Sequence, residues 1–191
     1  MLTMVCGLGR CGTSMVMQML AAGGAPVVGQ APAYEPAEAG RAPIDATWLR
    51  SLGDGTVKIL DPHRAWRGQC QARAIWIDRN ENEQARSQVK FAAVVGGLPV
   101  RAGDWKRVRA ILRRDRAAAL RQLGGMERRM MRFEMILAAP MDAAKELAGW
   151  FPSFDQVAAA AAVRRRSAQC APGMELEIAL LTERGAKQVR R

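Results

Sequence analysis

The stretch LTMVCGLGRCGTS, residues 2–14, joins an apolar run to a glycine-rich turn and two hydroxyl residues. The apolar run at 2–6 is typical of a buried strand, and it ends at the first glycine of the turn. Apolar residues at helical spacing follow over 13–22, and Gly23-Gly24 ends that helix. A strand, a glycine-rich turn and a helix that opens on a hydroxyl residue form the arrangement of a phosphate-binding P-loop.

Several groups in this turn suit a phosphate anion. Its glycines allow the backbone to bend so tightly that successive N–H groups point inward, and the helix N-terminus adds the positive end of its dipole. Arg10 supplies a cation from within the turn. A tight strand–helix turn without a ligand is the alternative interpretation. The candidate phosphate-binding residues are Gly9, Arg10, Cys11, Gly12, Thr13 and Ser14.

The residue after the second glycine of the motif separates classes of P-loop enzyme. A P-loop ATPase or kinase has lysine there, and that lysine reaches the terminal phosphates during transfer. This chain has Thr13 at that position, which argues against ordinary ATP or GTP hydrolysis. Another P-loop phosphotransferase or a nucleotide kinase stays as an alternative, and it would also require acidic metal ligands.

Strand and helix patterns alternate along the rest of the chain. Strands are predicted at 56–60, 73–77 and 128–137. Helices are predicted at 43–52, 81–95, 104–123, 143–150 and 154–163. Either Asn80 or Asp78 is available to cap the helix at 81–95. This order predicts an α/β fold in three layers, a parallel sheet flanked by helices, as one domain over 1–191 with a frayed tail at about 171–191.

The composition narrows the function classes. A length of 191 residues with 49% hydrophobic residues suits a globular domain with a sizeable core. Four cysteines, none in a C-x-x-C pair, and a single histidine argue against a structural zinc site. Two of the cysteines flank the glycine-rich turn, which suggests reduced thiols and a cytoplasmic protein. No segment reaches the roughly 18 apolar residues of a membrane span.

The net charge of +11 is concentrated in residues 101–191. A basic surface attracts polyanions such as nucleic acid, anionic lipid or an anionic cofactor. Six arginines lie along the helix predicted at 104–123, at Arg107, Arg109, Arg113, Arg114, Arg116 and Arg121. A solvated helix face is the simpler interpretation of that pattern than a surface that reads a nucleic-acid groove. Nucleic acid is therefore a secondary candidate partner.

At this point the glycine-rich turn resembles a known family. Residues 9–14 look like the sulfotransferase loop, commonly Pro-[Arg/Lys]-Ser-Gly-Thr-[Thr/Ser], in which the basic residue takes the position of Arg10. The family has threonine after the second glycine, as this chain does at Thr13, whereas Gly9 and Cys11 replace its proline and serine. In that family the loop binds the 5′-phosphosulfate end of 3′-phosphoadenylyl sulfate.

A second match concerns the family's site for the nucleotide 3′-phosphate. In the family a strand ends in arginine, and a serine follows eight residues later in the next helix. Here the strand pattern ends at Arg79, and Ser87 stands eight residues on. The pair also makes chemical sense without the family, because a guanidinium can fork onto a phosphate and a helix hydroxyl can bond the same group. A surface salt bridge is the alternative role for Arg79 alone.

A third, looser match lies at 131–140 and 143–148, which resemble the family's late strand of type [V/R]-x-[Y/F]-E-x-L-x-x-P and the helix after it. The resemblance spans roughly residues 1–165. The family's C-terminal glycine-rich nucleotide clamp is not evident, and the run Arg164–Arg166 is a candidate source of cationic contacts in its place.

The resemblance implies a P-loop NTPase-like fold and a short sulfotransferase of bacterial or phage type. Such an enzyme transfers a sulfuryl group from 3′-phosphoadenylyl sulfate to a hydroxyl or amine of a small-molecule or glycan acceptor, and no metal is expected. A non-catalytic relative that binds anions or nucleic acid is the alternative outside enzymes. The acceptor itself is not predicted.

The catalytic residues follow from the chemistry of sulfuryl transfer. Charge builds on the bridging oxygen to the leaving phosphate, and Arg10 with the loop amides suits its stabilisation. Many family members place a general base in a Lys-x-His pattern, but here Lys58 is followed at that spacing by Leu60. His63, in a predicted loop three residues later, is the candidate base, and Asp61 is its rival. An exposed loop histidine without a role is the alternative.

Overall fold

Strands and helices alternate through the chain, which a computed structural model describes over residues 1–39, 43–65, 71–97, 99, 101 and 103–164. The strands are β1 (Leu2–Gly7), β2 (Thr56–Leu60), β3 (Ala72–Asp78) and β4 (Arg128–Arg132). The helices are α1 (Thr13–Ala22), α2 (Ala46–Ser51), α3 (Pro62–Ala65), α4 (Glu81–Gly96), α5 (Asp104–Gln122), α6 (Phe133–Ala138), α7 (Pro140–Ala148) and α8 (Gln156–Ala161). The bounds predicted for α1 and β2 are confirmed.

The described strands form one parallel sheet in the order β2-β1-β3-β4. Gly7 at the end of β1 lies opposite Leu60 at the end of β2, and Asp78 lies opposite Arg132. Parallel pairing therefore brings the segments that follow these strands to one edge of the sheet, where α/β proteins bind their ligands. We call this the loop edge, and the side on which the strands begin the opposite edge.

Helices cover both faces of the sheet. One face buries Leu49 of α2, Ala85 of α4 and Leu112 and Ala119 of α5 together with Met4 and Trp76. The other buries Val16 and Leu20 of α1, Ile136 of α6, Leu147 of α7 and Ala159 of α8 together with Val5 and Ile75. The three-layer α/β fold with a parallel sheet is confirmed, and burial of these apolar surfaces stabilises it.

The junction between β3 and α4 is set by a helix cap. Of the two candidate caps, Asn80 takes the role, because its Oδ1 accepts hydrogen bonds from the backbone N–H groups of Asn82 (3.1 Å) and Glu83 (3.3 Å). Glu134 of α6 accepts a hydrogen bond from the Asn80 N–H at 2.7 Å. These hydrogen bonds fix the backbone of Asn80, the residue after Arg79, and they place Arg79 at the loop edge.

The predicted strand at 128–137 is wrong in its second half, because β4 ends at Arg132 and α6 begins at Phe133. The apolar residues Phe133, Ile136 and Leu137 recur at helical spacing, and Ile136 is buried while Met135 is exposed. The alternation that suggested a strand fits a helix equally well over so few residues.

Two other predictions change in this structure. His63 lies in the short helix α3 rather than in a loop. The helix predicted at 43–52 is shorter at α2, because Asp45 caps it by accepting a hydrogen bond from the Thr47 N–H at 2.7 Å. The tail at 171–191 and two arginines of the run Arg164–Arg166 lie outside the described residues. Among the described helices, none has both the length and the apolar character needed to cross a bilayer.

Candidate functional site

The loop between β1 and α1 is held in an unusual backbone conformation. Gly12 precedes the first turn of α1 with a φ of 108°, and Arg10 adopts a φ of 67°. A side chain at Gly12 would overlap the ring of Phe133, so both the dihedral angle and the space require glycine. Positive φ at a non-glycine residue such as Arg10 is strained and clusters at binding sites.

Three of the predicted site residues meet beside this loop. The Nε of Arg10 donates a hydrogen bond to the Oγ of Ser87 at 3.2 Å. A guanidinium nitrogen of Arg79 donates to the backbone carbonyl of Arg10 at 3.0 Å. The structure therefore brings the basic residue of the loop together with the strand-end arginine and the helix serine, which are 69 and 77 positions away in sequence.

The guanidinium group of Arg79 is held in place by an aromatic ring. It lies 4.5 Å from the ring centroid of Phe133, the same ring that packs against Gly12. Its ion pair with Glu83 is long, at 3.7 Å, and its Nε is buried without a hydrogen-bond partner in this structure. A buried N–H that lacks a partner is costly, so this arginine has donor capacity suited to an anion at the loop edge.

Arg10 is oriented toward α4 in the same way. Its guanidinium group lies 5.1 Å from the ring centroid of Phe91, one turn beyond Ser87. Stacking on Phe91 and the hydrogen bond to Ser87 hold the side chain along the α4 side of the loop. The two sites predicted separately, for a phosphosulfate and for a 3′-phosphate, are thus adjacent.

A buried lysine lies on the other side of the loop, beside α1. Lys58 of β2 is 3% exposed, and its Nζ donates to Ser14 Oγ (2.9 Å), Glu35 Oε1 (2.6 Å) and the Ala33 carbonyl (3.0 Å). Burial lowers the pKa of Lys58, and the carboxylate of Glu35 partly opposes that change. Lys58 was not among the residues predicted for the site, although a lysine inside an apolar strand is a recognisable signal.

The side chains of Thr13 and Cys11 in the loop are both buried. Thr13 is 4% exposed, and Cys11 is 1% exposed with its sulfur packed against Gly7. Burial raises the pKa of Cys11 to about 12, so the group stays a neutral thiol. Both side chains are therefore enclosed by the protein in this structure.

The candidate bases lie in different environments. Asp61 follows β2 directly, and its N–H donates to the Gly7 carbonyl at 3.0 Å. Burial raises the pKa of Asp61, and the nearby N–H of Gly9 acts to lower the pKa of its carboxyl group. His63 instead faces α5, where its Nε2 accepts from Arg64 Nε at 3.1 Å and lies 3.7 Å from Asp115. The contacts of Asp61 are with the loop, whereas those of His63 are not.

The arginine-rich helix α5 is largely engaged with the start of α4. Arg116 pairs with Asp78, Arg113 pairs with Glu81 at 2.6 Å, and Arg109 donates to Asn82 at 2.8 Å. The hydrogen bonds that Arg116 donates to the carboxylate of Asp78 raise the pKa of Arg116. These arginines connect α5 to the end of β3 and to the first turn of α4, which accounts for much of the basic pattern without a nucleic-acid partner.

Solved structures include one similar to this chain, the mouse sulfotransferase SULT7A1 in complex with PAP. The two share a TM-score of 0.54 and 11% sequence identity. The similarity covers 78% of this chain and 56% of the mouse chain, so this chain spans little more than half of that protein. No family model and no curated protein matches the sequence. The comparison establishes a sulfotransferase-type α/β fold, and function must be argued from the site.

Proposed function

We propose that this sulfotransferase-type fold transfers a sulfuryl group from 3′-phosphoadenylyl sulfate to a hydroxyl or amine acceptor. The observation that carries the proposal is the meeting of Arg10, Arg79 and Ser87 beside the loop after β1. A phosphosulfate and a 3′-phosphate belong to one nucleotide, so a protein that binds it needs two anion sites close together. The PAP complex of the similar mouse sulfotransferase is consistent with such a ligand.

Each group has a role in this proposal. The loop amides and the positive end of the α1 dipole bind the phosphosulfate, and Arg10 stabilises the bridging oxygen as charge develops on it. Arg79 and Ser87 bind the 3′-phosphate. Lys58, held at the first turn of α1 by its hydrogen bond to Ser14, adds a buried cation to the same anion site. Each of these groups donates hydrogen bonds or carries positive charge, and both strengthen the binding of the anionic groups of the nucleotide.

In the transfer step the acceptor oxygen or nitrogen attacks sulfur in line with the leaving phosphate. The bond between sulfur and the bridging oxygen breaks, and its electron pair leaves with adenosine 3′,5′-bisphosphate. The acceptor proton passes to a general base, for which Asp61 is the better placed of the two candidates because its N–H bonds the Gly7 carbonyl at the start of the loop, whereas His63 contacts Arg64 and Asp115. Its raised pKa suits a proton acceptor near neutral pH.

A thermal-shift titration tests the proposal. Adenosine 3′,5′-bisphosphate raises the melting temperature of the wild-type protein without added metal, because a ligand that binds only the folded state stabilises it. Arg10→Ala and Arg79→Ala reduce that shift. The matched control is Arg113→Ala, which removes the same charge from an exposed position on α5. A shift with ATP–Mg²⁺ and none with the bisphosphate would support a phosphotransferase instead.

A further inference from the structure

Two glutamines of α4 donate hydrogen bonds to the backbone carbonyls of the loop. The Nε2 of Gln84 donates to the carbonyls of Leu8 (3.2 Å) and Gly9 (2.9 Å), and the Nε2 of Gln88 donates to Gly9 at 2.9 Å. The glutamines stand four positions apart, so they lie one above the other on the helix face toward the loop. Gln84 is 5% exposed, whereas Gln88 is partly buried.

Because peptide bonds are planar and trans, these hydrogen bonds to the carbonyls also fix the directions of the loop N–H groups. In such a peptide the carbonyl and the N–H of the next residue point in opposite directions. Because the Gly9 carbonyl is held toward α4, the N–H of Arg10 points away from α4. The Leu8 carbonyl is held in the same way, so the N–H of Gly9 also points away from α4.

A third donor completes this arrangement. Arg79 donates to the carbonyl of Arg10, so three successive loop carbonyls accept hydrogen bonds from side chains of Arg79, Gln84 and Gln88. Arg10 lies among them with its positive φ. A strained backbone conformation persists only when surrounding contacts hold it in place. The side-chain donors of Arg79, Gln84 and Gln88 hold the loop backbone in this way from one side.

We propose that Gln84 and Gln88 are positioning residues that orient the loop amides for the 5′-phosphosulfate before the nucleotide arrives. This inference rests on the proposed function. Without the two donors, the Gly9 peptide is free to rotate, and binding must then include the cost of ordering it. Neither glutamine touches the nucleotide, and both act through the backbone of Leu8 and Gly9. Buried packing between α4 and the loop is the competing explanation.

The test uses Gln84→Met, which keeps the length of the side chain and removes the donors. Calorimetric titration compares adenosine 3′,5′-bisphosphate with adenosine 3′-monophosphate, which lacks the 5′ group. We expect about ten-fold weaker binding of the bisphosphate, from the loss of one or two hydrogen bonds, and less than about two-fold change for the monophosphate. The matched control is Gln71→Met at an exposed position before β3.

A double variant adds a readout that packing does not give. Gln84 and Gln88 both donate to the Gly9 carbonyl, so either donor still restrains this peptide when the other is lost, and the loss in Gln84→Met/Gln88→Met is larger than the product of the two single losses. If Gln84→Met does not fold, the less buried Gln88→Met carries the same comparison of the two ligands.

The outcomes are separable. Equal losses for both ligands, or no loss for either, overturn the positioning role while the proposed function stands. Wild-type protein that binds neither adenosine nucleotide overturns the proposed function, and this inference with it. A loss confined to the bisphosphate supports both.

Discussion

Arginines cluster at two edges of the same sheet. Both clusters stack on aromatic rings and form hydrogen bonds, but these contacts serve different roles. At the loop edge, Arg10 and Arg79 stack on aromatic rings and bond the loop and Ser87. At the opposite edge, Arg73 stacks on Trp150 at 4.8 Å and donates to its carbonyl at 2.6 Å. Stacking on an aromatic ring therefore does not identify a ligand site, since it occurs at both edges.

The hydrogen bonding of the guanidinium groups differs between the two clusters. Arg73 also donates to Thr3 Oγ1 at 2.9 Å, and Arg129 lies 4.7 Å from the same indole ring and bonds the Glu146 carbonyl. These arginines connect β1, β3 and β4 to Trp150 in the segment after α7. At the loop edge, by contrast, a buried N–H of Arg79 has no hydrogen-bond partner, while positive φ occurs beside both clusters, at Arg10 and at Ser153. The unused donor of Arg79, rather than charge or backbone strain, distinguishes the proposed binding edge.

The largest effect is expected from Gly12→Ala, which adds a methyl group where φ is 108° and the Phe133 ring already lies. We expect a loss of about 2 kcal/mol or more in the free energy of unfolding and no response to adenosine 3′,5′-bisphosphate. Chemical denaturation and thermal shift measure the two. Gly125→Ala is the control, because φ there is 86° but the space is open, and it should cost about 1 kcal/mol with binding intact.

Arg79→Ala should affect binding more than stability. It removes the charged donors proposed for the 3′-phosphate, and we expect affinity for the bisphosphate to fall by about ten- to one-hundred-fold. Calorimetric titration measures the affinity. Arg79→Lys keeps the charge but not the planar fork, so we expect it to recover only part of the loss. Full binding by Arg79→Ala would remove the distinction between the two edges.

Arg73→Ala should show the reverse pattern. It removes stacking on Trp150 and Phe151 and two hydrogen bonds, so the free energy of unfolding should fall by about 1–2 kcal/mol. The affinity for the bisphosphate should stay within about two-fold of wild type, because the proposed ligand site lies at the other end of the strands. Weakened binding with unchanged stability would contradict the structural role of this cluster.

Asp61→Asn should give the smallest change, visible as a pH dependence. Burial raises the folded-state pKa of Asp61, so the folded protein holds this proton at pH values where the unfolded chain has released it. The contribution of Asp61 to stability is therefore lost as pH rises from the unfolded value of 3.8 through the folded one. The melting temperature of Asp61→Asn minus that of wild type should increase over this range, and a constant difference would contradict it.

The sequence was sufficient for the elements whose signals are local. The β1–loop–α1 unit follows from an apolar run, glycines and helical spacing, and the end of β3 just before Arg79 follows from the apolar run at 73–77. The expected spacing also places Ser87 on α4, where it meets Arg10. Tertiary contacts decided the rest. The switch from β4 to α6 at Phe133 depends on packing, because alternation over a few residues fits either state.

The missed features of the site depend on contacts between side chains and distant backbone. Gln84 and Gln88 look like ordinary polar helix residues, and their role arises from loop carbonyls 75 or more positions away. Lys58 carried a visible signal, a charge within an apolar strand, but its partner Glu35 lies in a segment that no sequence pattern positions. His63 shows the converse, since its position after a strand suggested the loop edge while its contacts are with Arg64 and Asp115.

The most direct test of the loop edge as a nucleotide site compares adenosine 3′,5′-bisphosphate with adenosine 5′-monophosphate by calorimetric titration of the wild-type protein. Binding of the 3′-phosphate by Arg79 and Ser87 predicts at least about ten-fold tighter binding of the bisphosphate, and this preference should disappear in Arg79→Ala and persist in Arg73→Ala. Equal affinities for the two nucleotides in the wild-type protein, or no binding of either, would contradict the assignment.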